Sequence, residues 1–245
     1  MKKKNSIEKI KRNTLTFYAK HKSVLKAISA IAAYILIPEI AMWPIKVFVV
    51  NNNVFPYIAR VIYLLLVDVL LASTLLYIYV DEIMVMFADI KKNNKKYFDE
   101  YFKYWLIAMA LMIISNLIIS MFVKSEPANQ QAIIDMFKRN PIYIFMSAVI
   151  FAPIIEELVY RFSFRKLFKN DWVFIIVSGL IFGFAHLGAA DNLVNELVFL
   201  IPYSIPGFMF SYVLVKSKNI FVPMGLHFMH NGLLIAIQFL ALIFM

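Results

Sequence analysis

Apolar runs of about 20 residues follow one another along the chain, and a run of that length lets an α-helix cross the hydrocarbon core of a bilayer. The chain has 245 residues and is 62% hydrophobic, whereas soluble domains are roughly 45–50% apolar. A single soluble core could not bury this much apolar surface. The sequence therefore predicts an all-α, polytopic transmembrane helix bundle of about seven spans, near residues 24–45, 57–80, 104–123, 141–168, 172–188, 193–215 and 220–244.

Lysine and arginine are distributed unevenly between these spans. The chain carries 25 of them and a net charge of +10, and a cytoplasmic N-terminus places all but five on the cytoplasmic side, in line with the positive-inside rule. We therefore expect a multi-pass protein of the cell membrane whose lysines meet anionic lipid headgroups rather than nucleic acid. The five exceptions are Lys46, Arg60, Lys124, Lys138 and Arg139.

Composition divides the chain into three parts. A basic segment covers residues 1–23, N-terminal membrane helices cover 24–127, and a membrane core with the candidate catalytic residues covers 128–245. The first apolar run has no small-residue cleavage site, so we interpret it as a retained helix rather than a signal peptide. The chain has no cysteine, which excludes disulfides, a thiol nucleophile and a Cys-ligated metal site.

Polar clusters interrupt the apolar runs of the C-terminal half. A charged side chain at the centre of a membrane helix costs about 2.5–3.5 kcal/mol on insertion scales, so such groups usually have a function. Carboxylate, imidazole and amide groups together can activate water and stabilise a developing oxyanion. The three clusters are Glu156 and Glu157 with Arg161, His186 alone, and His227 with Asn231.

The rise of an α-helix predicts that these clusters lie at one depth. Glu156 lies roughly 18 Å, and His186 roughly 22 Å, from the cytoplasmic ends of their helices at 1.5 Å per residue. His227 and Asn231 lie roughly 10 and 16 Å into the last helix from the same side. We therefore expect the four side chains to meet inside the membrane.

Each cluster also has a structural interpretation. Glu157 can form an ion pair with Arg161, which lies four residues later on the same helix face. This leaves Glu156 without an obvious local cation and makes it the better candidate for a general base. The histidines and the asparagine can instead form interhelical hydrogen bonds, which are common in membranes.

The three clusters match the motifs of a known family. Residues 156–161 read Glu-Glu-Leu-Val-Tyr-Arg, Phe182 precedes His186 by four residues, and His227 precedes Asn231 by four. From about residue 128 onward, the chain therefore resembles the CPBP family, the Abi and CAAX-protease group of intramembrane endopeptidases. No motif position departs from the family pattern.

This resemblance implies an endopeptidase that hydrolyses a peptide bond of a membrane-associated or amphipathic peptide, or of a membrane-protein substrate. A non-catalytic bacteriocin-immunity or regulatory scaffold of the same fold is the alternative. A small transporter is a third interpretation, but the repeat symmetry that it would favour is not evident. The roles implied are water activation and orientation by Glu156 and His186, oxyanion stabilisation by His227 and Asn231, and support by Glu157 and Arg161.

Metal dependence is a separate question. Glutamate and histidine together can ligate zinc, and the ligands would then be Glu156, His186 and His227. An asparagine suits an oxyanion better than it suits zinc. We therefore favour a metal-free site and expect no cofactor.

Overall fold

The computed structural model describes residues 2–44, 57–187 and 196–244, and the side chains within 21–44, 57–187 and 196–241. These residues form helices and no strands, so the predicted all-α bundle is confirmed. The segment between the predicted spans 24–45 and 57–80 and the segment between the predicted spans 172–188 and 193–215 lie outside the described residues. The helices are α1 (Lys2–Pro44), α2 (Tyr57–Ile78), α3 (Val80–Phe122), α4 (Ala128–Arg139), α5 (Pro141–Leu167), α6 (Asp171–Ala185), α7 (Leu200–Ser217) and α8 (Phe221–Phe244).

Six helices in the described ranges are long and apolar enough to span a membrane, which is close to the expected seven. In α1 the span covers His21–Pro44. The apolar helix α6 has 15 residues and is therefore only about 22 Å long, shorter than the roughly 30 Å of hydrocarbon core. The protein is a multi-pass membrane protein, and α6, where the fifth span was expected, is shorter than a full membrane span.

Ion pairs join the helices at one end of the bundle. Nζ of Lys26 lies 2.7 Å from Oε2 of Glu82, and Nζ of Lys166 lies 3.4 Å from Oε1 of the same residue. Glu82 thus connects α1, α3 and α5. Because the lysine-rich segment 91–96 follows Glu82 in α3, we call this the lysine-rich end.

At the opposite end of the bundle, hydrogen bonds join the start of α4 to the segment that precedes α7. The backbone N–H of Ala128, the first residue of α4, donates to both carboxylate oxygens of Glu196, at 3.2 and 3.3 Å. Glu196 is buried and directly precedes a single 3₁₀ turn, Leu197–Phe199, that leads into α7. A carboxylate at a helix N-terminus satisfies a free N–H and is favoured by the helix dipole. The contact therefore fixes the first turn of α4 beside α7.

Glycines allow α6 and α7 to pack closely. A Cβ atom on Gly207 would lie 2.8 Å from the carbonyl oxygen of Gly179, and a Cβ atom on Gly183 would collide with the side chain of Ser204. Small residues at such contacts let helix backbones approach each other in membranes. This close packing holds the end of α6 against α7.

Helix α5 is irregular on both sides of Glu156. Two π-helical segments, Phe145–Phe151 and Glu157–Ser163, flank a short α-helical turn, Ala152–Glu156. The N–H of Ala152 donates to the carbonyl of Ser147, and Pro153 has no N–H to donate. The carbonyl of Ala148 therefore lacks its usual donors within α5, and π segments of this kind frequently occur at functional sites.

Candidate active site

The structure brings Glu156, His186 and His227 together from three different helices. Oε2 of Glu156 lies 3.7 Å from Nε2 of His227 and 4.0 Å from Nε2 of His186. Glu156 ends the short α-helical turn of α5, His186 caps the C-terminus of α6, and His227 lies in the second turn of α8. These three side chains meet at one depth, as the helical rise predicted.

Each imidazole is oriented through its other ring nitrogen. Nδ1 of His186 lies 2.8 Å from the backbone carbonyl of Phe182, which can only accept a hydrogen bond. Nδ1 of His227 lies 2.9 Å from Oε1 of Glu157. With an ionised Glu157, both Nδ1 atoms carry the hydrogen, so both neutral rings present an unprotonated Nε2 to Glu156.

The cluster therefore consists of three hydrogen-bond acceptors, Oε2 of Glu156 and the two Nε2 atoms. We call it the acceptor cluster. The Oε2 atom is buried and has no hydrogen-bond partner among the described residues. Its distances to the two imidazoles exceed those of direct hydrogen bonds. A group between the three atoms must donate hydrogen bonds or carry positive charge, as a water molecule or a metal ion does.

Glu157 and Arg161 lie next to the acceptor cluster, in an interior that is sealed from solvent. Both side chains are completely buried, and Nη1 of Arg161 lies 3.5 Å from Oε1 of Glu157. The guanidinium also lies over the rings of Phe182 and Phe210, at 4.0 and 5.3 Å from their centroids. A buried charge needs such partners. Because Glu157 also holds His227, the ion pair contacts the acceptor cluster through that histidine.

Asn231 lies beside the histidines, but its amide is already bound to another helix. Its Nδ2 donates to the carbonyl of Ala148 at 2.7 Å, the carbonyl that Pro153 leaves without a donor in α5. Asn231 thus joins α8 to α5 shortly before Glu156. Only its second N–H remains for a reacting group, and the oxyanion role stays a prediction.

The histidines open into a cavity of about 130 Å³, which has room for several water molecules. His186, His227 and Asn231 line it. His230, which belongs to none of the three motifs, also lines this cavity and packs edge-on against Phe210, with centroids 6.2 Å apart. We call this space the inner cavity.

Aromatic side chains that the motifs do not include complete the surroundings of the cluster. The ring of Tyr203 lies 5.6 Å from that of His186, and Phe210 stacks on His227 at 4.6 Å. The hydroxyl groups of Tyr34 and Tyr160 are hydrogen-bonded at 2.8 Å, which connects α1 to α5. Tyr160 lies within the first motif, but nothing in the sequence pointed to its partner Tyr34.

Polar residues of α4 are a second feature that the motifs missed. Asn129 and Gln130 both line the inner cavity. Neither residue belongs to one of the three motifs, so the sequence gave no reason to place them near the histidines.

The donor set of the acceptor cluster suits zinc chemically. Zinc binds imidazole nitrogen and carboxylate oxygen, and a carboxylate commonly orients such a histidine from behind, as Glu157 does. Two ligands of a tetrahedral zinc lie about 3.4 Å apart, slightly less than the distances here. In their present positions, no three His, Asp or Glu side chains of the described segments are arranged to hold a metal ion.

Comparisons with known proteins agree with the motifs. Residues 138–233 match the family model described as type II CAAX prenyl endopeptidase Rce1-like. The chain is 31% identical over 116 residues to the putative membrane peptidase YdiL of Bacillus subtilis, covering 46% of this chain and 44% of that protein. It is 31% identical over 164 residues to the membrane-embedded CAAX protease MroQ of Staphylococcus aureus, covering 61% and 62%.

The chain spans about half the length of the curated relatives that it matches. No solved structure matches the chain significantly. All three motifs, from Glu156 to Asn231, lie inside the region that matches the family model. The family resemblance predicted from these motifs is therefore confirmed for residues 138–233, which form an Rce1-like region.

Proposed function

We propose that this protein is an intramembrane endopeptidase in which Glu156 activates water for attack on a peptide bond. The observation that carries the proposal is the acceptor cluster, where a buried carboxylate oxygen without a hydrogen-bond partner among the described residues faces Nε2 of two histidines. The names of the relatives, a putative membrane peptidase and a CAAX protease, support the same class of reaction.

The proposed mechanism begins with a water molecule that donates one hydrogen bond to Oε2 of Glu156 and one to an Nε2 atom. Glu156 accepts a proton as the water oxygen bonds to the scissile carbonyl carbon. The same proton then passes to the leaving nitrogen as the carbon–nitrogen bond breaks. The reaction is balanced, because one peptide bond and one water molecule yield a new carboxyl group and a new amino group.

In this mechanism His227 has a different role from the one that the resemblance implied. With its hydrogen on Nδ1, His227 accepts at Nε2, so it orients the water together with His186 and does not donate to an oxyanion. The free N–H of Asn231 is the donor that remains for the oxyanion. Were zinc bound, Glu156, His186 and His227 would hold it, and it would polarise water as a Lewis acid.

The proposed substrate is a membrane-associated or amphipathic peptide, or a membrane protein. A cluster held by transmembrane helices is accessible to chains that enter the bilayer, whereas the acceptor cluster itself has no side chain that would select a particular sequence. Prenylation of the substrate is not part of the proposal, although the names of the family model and of one relative refer to CAAX sequences.

A comparison of purified variants in detergent tests this function. Wild-type protein should cleave members of a peptide library, Glu156→Gln should not, and Glu82→Gln, which alters only the ion pairs at the lysine-rich end, should retain cleavage. Activity in Glu156→Gln would contradict the role of Glu156. Loss of wild-type activity in chelator, with recovery on adding zinc, would contradict the metal-free mechanism.

We further propose that the N-terminus is cytoplasmic, because this orientation satisfies the positive-inside rule. The chain has no cysteine, so a single introduced cysteine is the unique target for a membrane-impermeant maleimide. In intact cells, Lys124→Cys should be labelled, whereas Lys95→Cys should react only after the cells are opened. The reverse pattern would contradict the orientation.

A further inference from the structure

A second cavity extends the inner cavity away from the lysine-rich end. It has a volume of about 680 Å³ and lies between the C-terminal part of α3, the connector 123–127 and the beginning of α7. We call it the outer cavity, and its size is within the range of ligand-binding pockets. The two cavities adjoin, because both are lined by Met112, Gln130, Tyr203 and Leu234.

Buried residues of α5 and α6 close the approach to the acceptor cluster from the lysine-rich end. All seven residues of the π segment Glu157–Ser163, which follows Glu156 toward the lysine-rich end, are buried. Phe174 and Ser178 of α6 are completely buried beside this segment, and the Ser178 hydroxyl donates to the Tyr160 carbonyl at 2.6 Å. Within the described residues, the open approach to the acceptor cluster therefore comes from the opposite end.

The lining of the two cavities suits a polypeptide better than a lipid. Amide side chains lie among apolar ones, at Asn116, Asn129 and Gln130, and the connector contributes the charged residues Lys124 and Glu126. An amide both donates and accepts hydrogen bonds, as an extended peptide backbone requires of its binding site. The side chain of Asn129 is hydrogen-bonded to Tyr203, but an acyl chain would offer no partner to the amides of Asn116 and Gln130, which is unfavourable in hydrocarbon.

Gln130 lies where the two cavities meet, and α4 holds it there. The bond between Glu196 and the N–H of Ala128 fixes the helix start two residues before Gln130. Gln130 is half-buried and lines both cavities. Its neighbour Gln131 is exposed, lines neither cavity and donates to Asp135 at 2.9 Å.

We propose that an extended polypeptide segment binds in the outer cavity, with its backbone hydrogen-bonded to the amide of Gln130, and reaches the acceptor cluster from the end opposite the lysine-rich end. With a cytoplasmic N-terminus, the peptide is presented from the extracytoplasmic side. The assignment of this peptide as substrate rests on the proposed function, whereas its binding does not.

Photo-cross-linking at two adjacent glutamines tests the proposal. A benzophenone side chain replaces either Gln130 or Gln131 in the Glu156→Gln variant, which keeps bound peptide uncleaved. The protein is placed in phosphatidylglycerol vesicles with a dye-labelled mixture of random decapeptides. Position 130 should cross-link to peptide several-fold more than position 131. Equal cross-linking at both positions, or cross-linking of position 130 to lipid alone, would overturn the proposal.

Kinetic variants separate this proposal from the proposed function. In active protein, Gln130→Ala should raise KM several-fold with little change in kcat, whereas Gln131→Ala should change neither. Equal thermal midpoints for the two variants exclude a folding effect. Preferential cross-linking at 130 without any hydrolysis by wild type would contradict the enzyme and keep the peptide site. Hydrolysis without preferential cross-linking would contradict the peptide site alone.

Discussion

Glu156 and Glu157 are adjacent in sequence, yet they face two regions of the protein with opposite properties. Glu157 is completely buried in the sealed interior, where Arg161 and His227 are its partners. Glu156 is 17% exposed and faces two imidazole nitrogens at the inner cavity. Oε1 of Glu157 contacts both of these partners, although its Oε2 has no hydrogen-bond partner among the described residues. Glu156 has only the longer contacts with the two histidines, so its carboxylate is the one available for chemistry.

The helix geometry explains how neighbours come to face such different surroundings. Successive residues of an α-helix point about 100° apart, and the second π segment begins at Glu157. Glu156 therefore turns toward α6 and α8 at the cavity, while Glu157 turns into the interior. The comparison predicts that changing either glutamate removes activity, but for different physical reasons.

The largest expected effect is the loss of catalysis in Glu156→Gln. General base catalysis contributes about 10²–10⁴-fold, so kcat should fall by that factor. The thermal midpoint in detergent should not fall, because Oε2 of Glu156 has no hydrogen-bond partner to lose among the residues that the structure describes. A fall in thermal midpoint large enough to account for the lost activity would show that Glu156 is also needed for stability. It would contradict the difference in role between the two glutamates.

The next effect is the loss of stability in Glu157→Gln. Removing one member of a buried ion pair leaves the other charge unpaired and costs about 3–5 kcal/mol, to be measured by denaturant unfolding in detergent. A double variant, Glu157→Leu with Arg161→Met, should recover most of the stability, because it removes both charges. Equal stability of wild type and Glu157→Gln would contradict the ion pair.

A smaller effect is expected at Asn231. In Asn231→Ala the carbonyl of Ala148 loses its donor, which costs about 1–3 kcal/mol for a buried group. Pro153→Ala supplies a backbone N–H in α5, so the double variant should be less destabilised than the sum of the single variants. Additive free energies of unfolding would show that Asn231 and Pro153 do not share this carbonyl.

The smallest effect concerns the ion pairs at the lysine-rich end. Lys26→Ala removes a partly exposed contact with Glu82 and should cost less than about 1 kcal/mol. Lys22→Ala is the matched control, because its 3.7 Å contact with Asp81 is more exposed and should contribute less. A loss of several kcal/mol in Lys26→Ala would mean that this end also carries the stability of the bundle.

Much of the fold could be predicted because it depends on local sequence. The apolar runs predicted the helices, and the rise per residue of an α-helix predicted that Glu156, His186 and His227 lie at one depth. The hydrogen bonds of the histidines could not be predicted, since the carbonyl of Phe182 and the carboxylate of Glu157 become partners only after the helices pack. For the same reason, Asn231 was expected at the oxyanion and not at the carbonyl of Ala148.

The two cavities could not be predicted from the sequence for a related reason. Asn129 and Gln130 lie in a short amphipathic segment whose place in the bundle depends on Glu196, some 68 residues later in the chain. A contact between residues so far apart in the chain leaves no periodic pattern in the sequence. Tyr34 likewise reaches Tyr160 across 126 residues, which only the packing of α1 on α5 reveals.

The origin of the oxygen in the first product formed tests the central claim most directly. A single turnover in ¹⁸O-labelled water should place one ¹⁸O atom in the new carboxyl group, because water held by Glu156, His186 and His227 attacks the carbonyl carbon. An unlabelled carboxyl group in that first turnover would show that a side-chain carboxylate attacks instead, and would contradict the account.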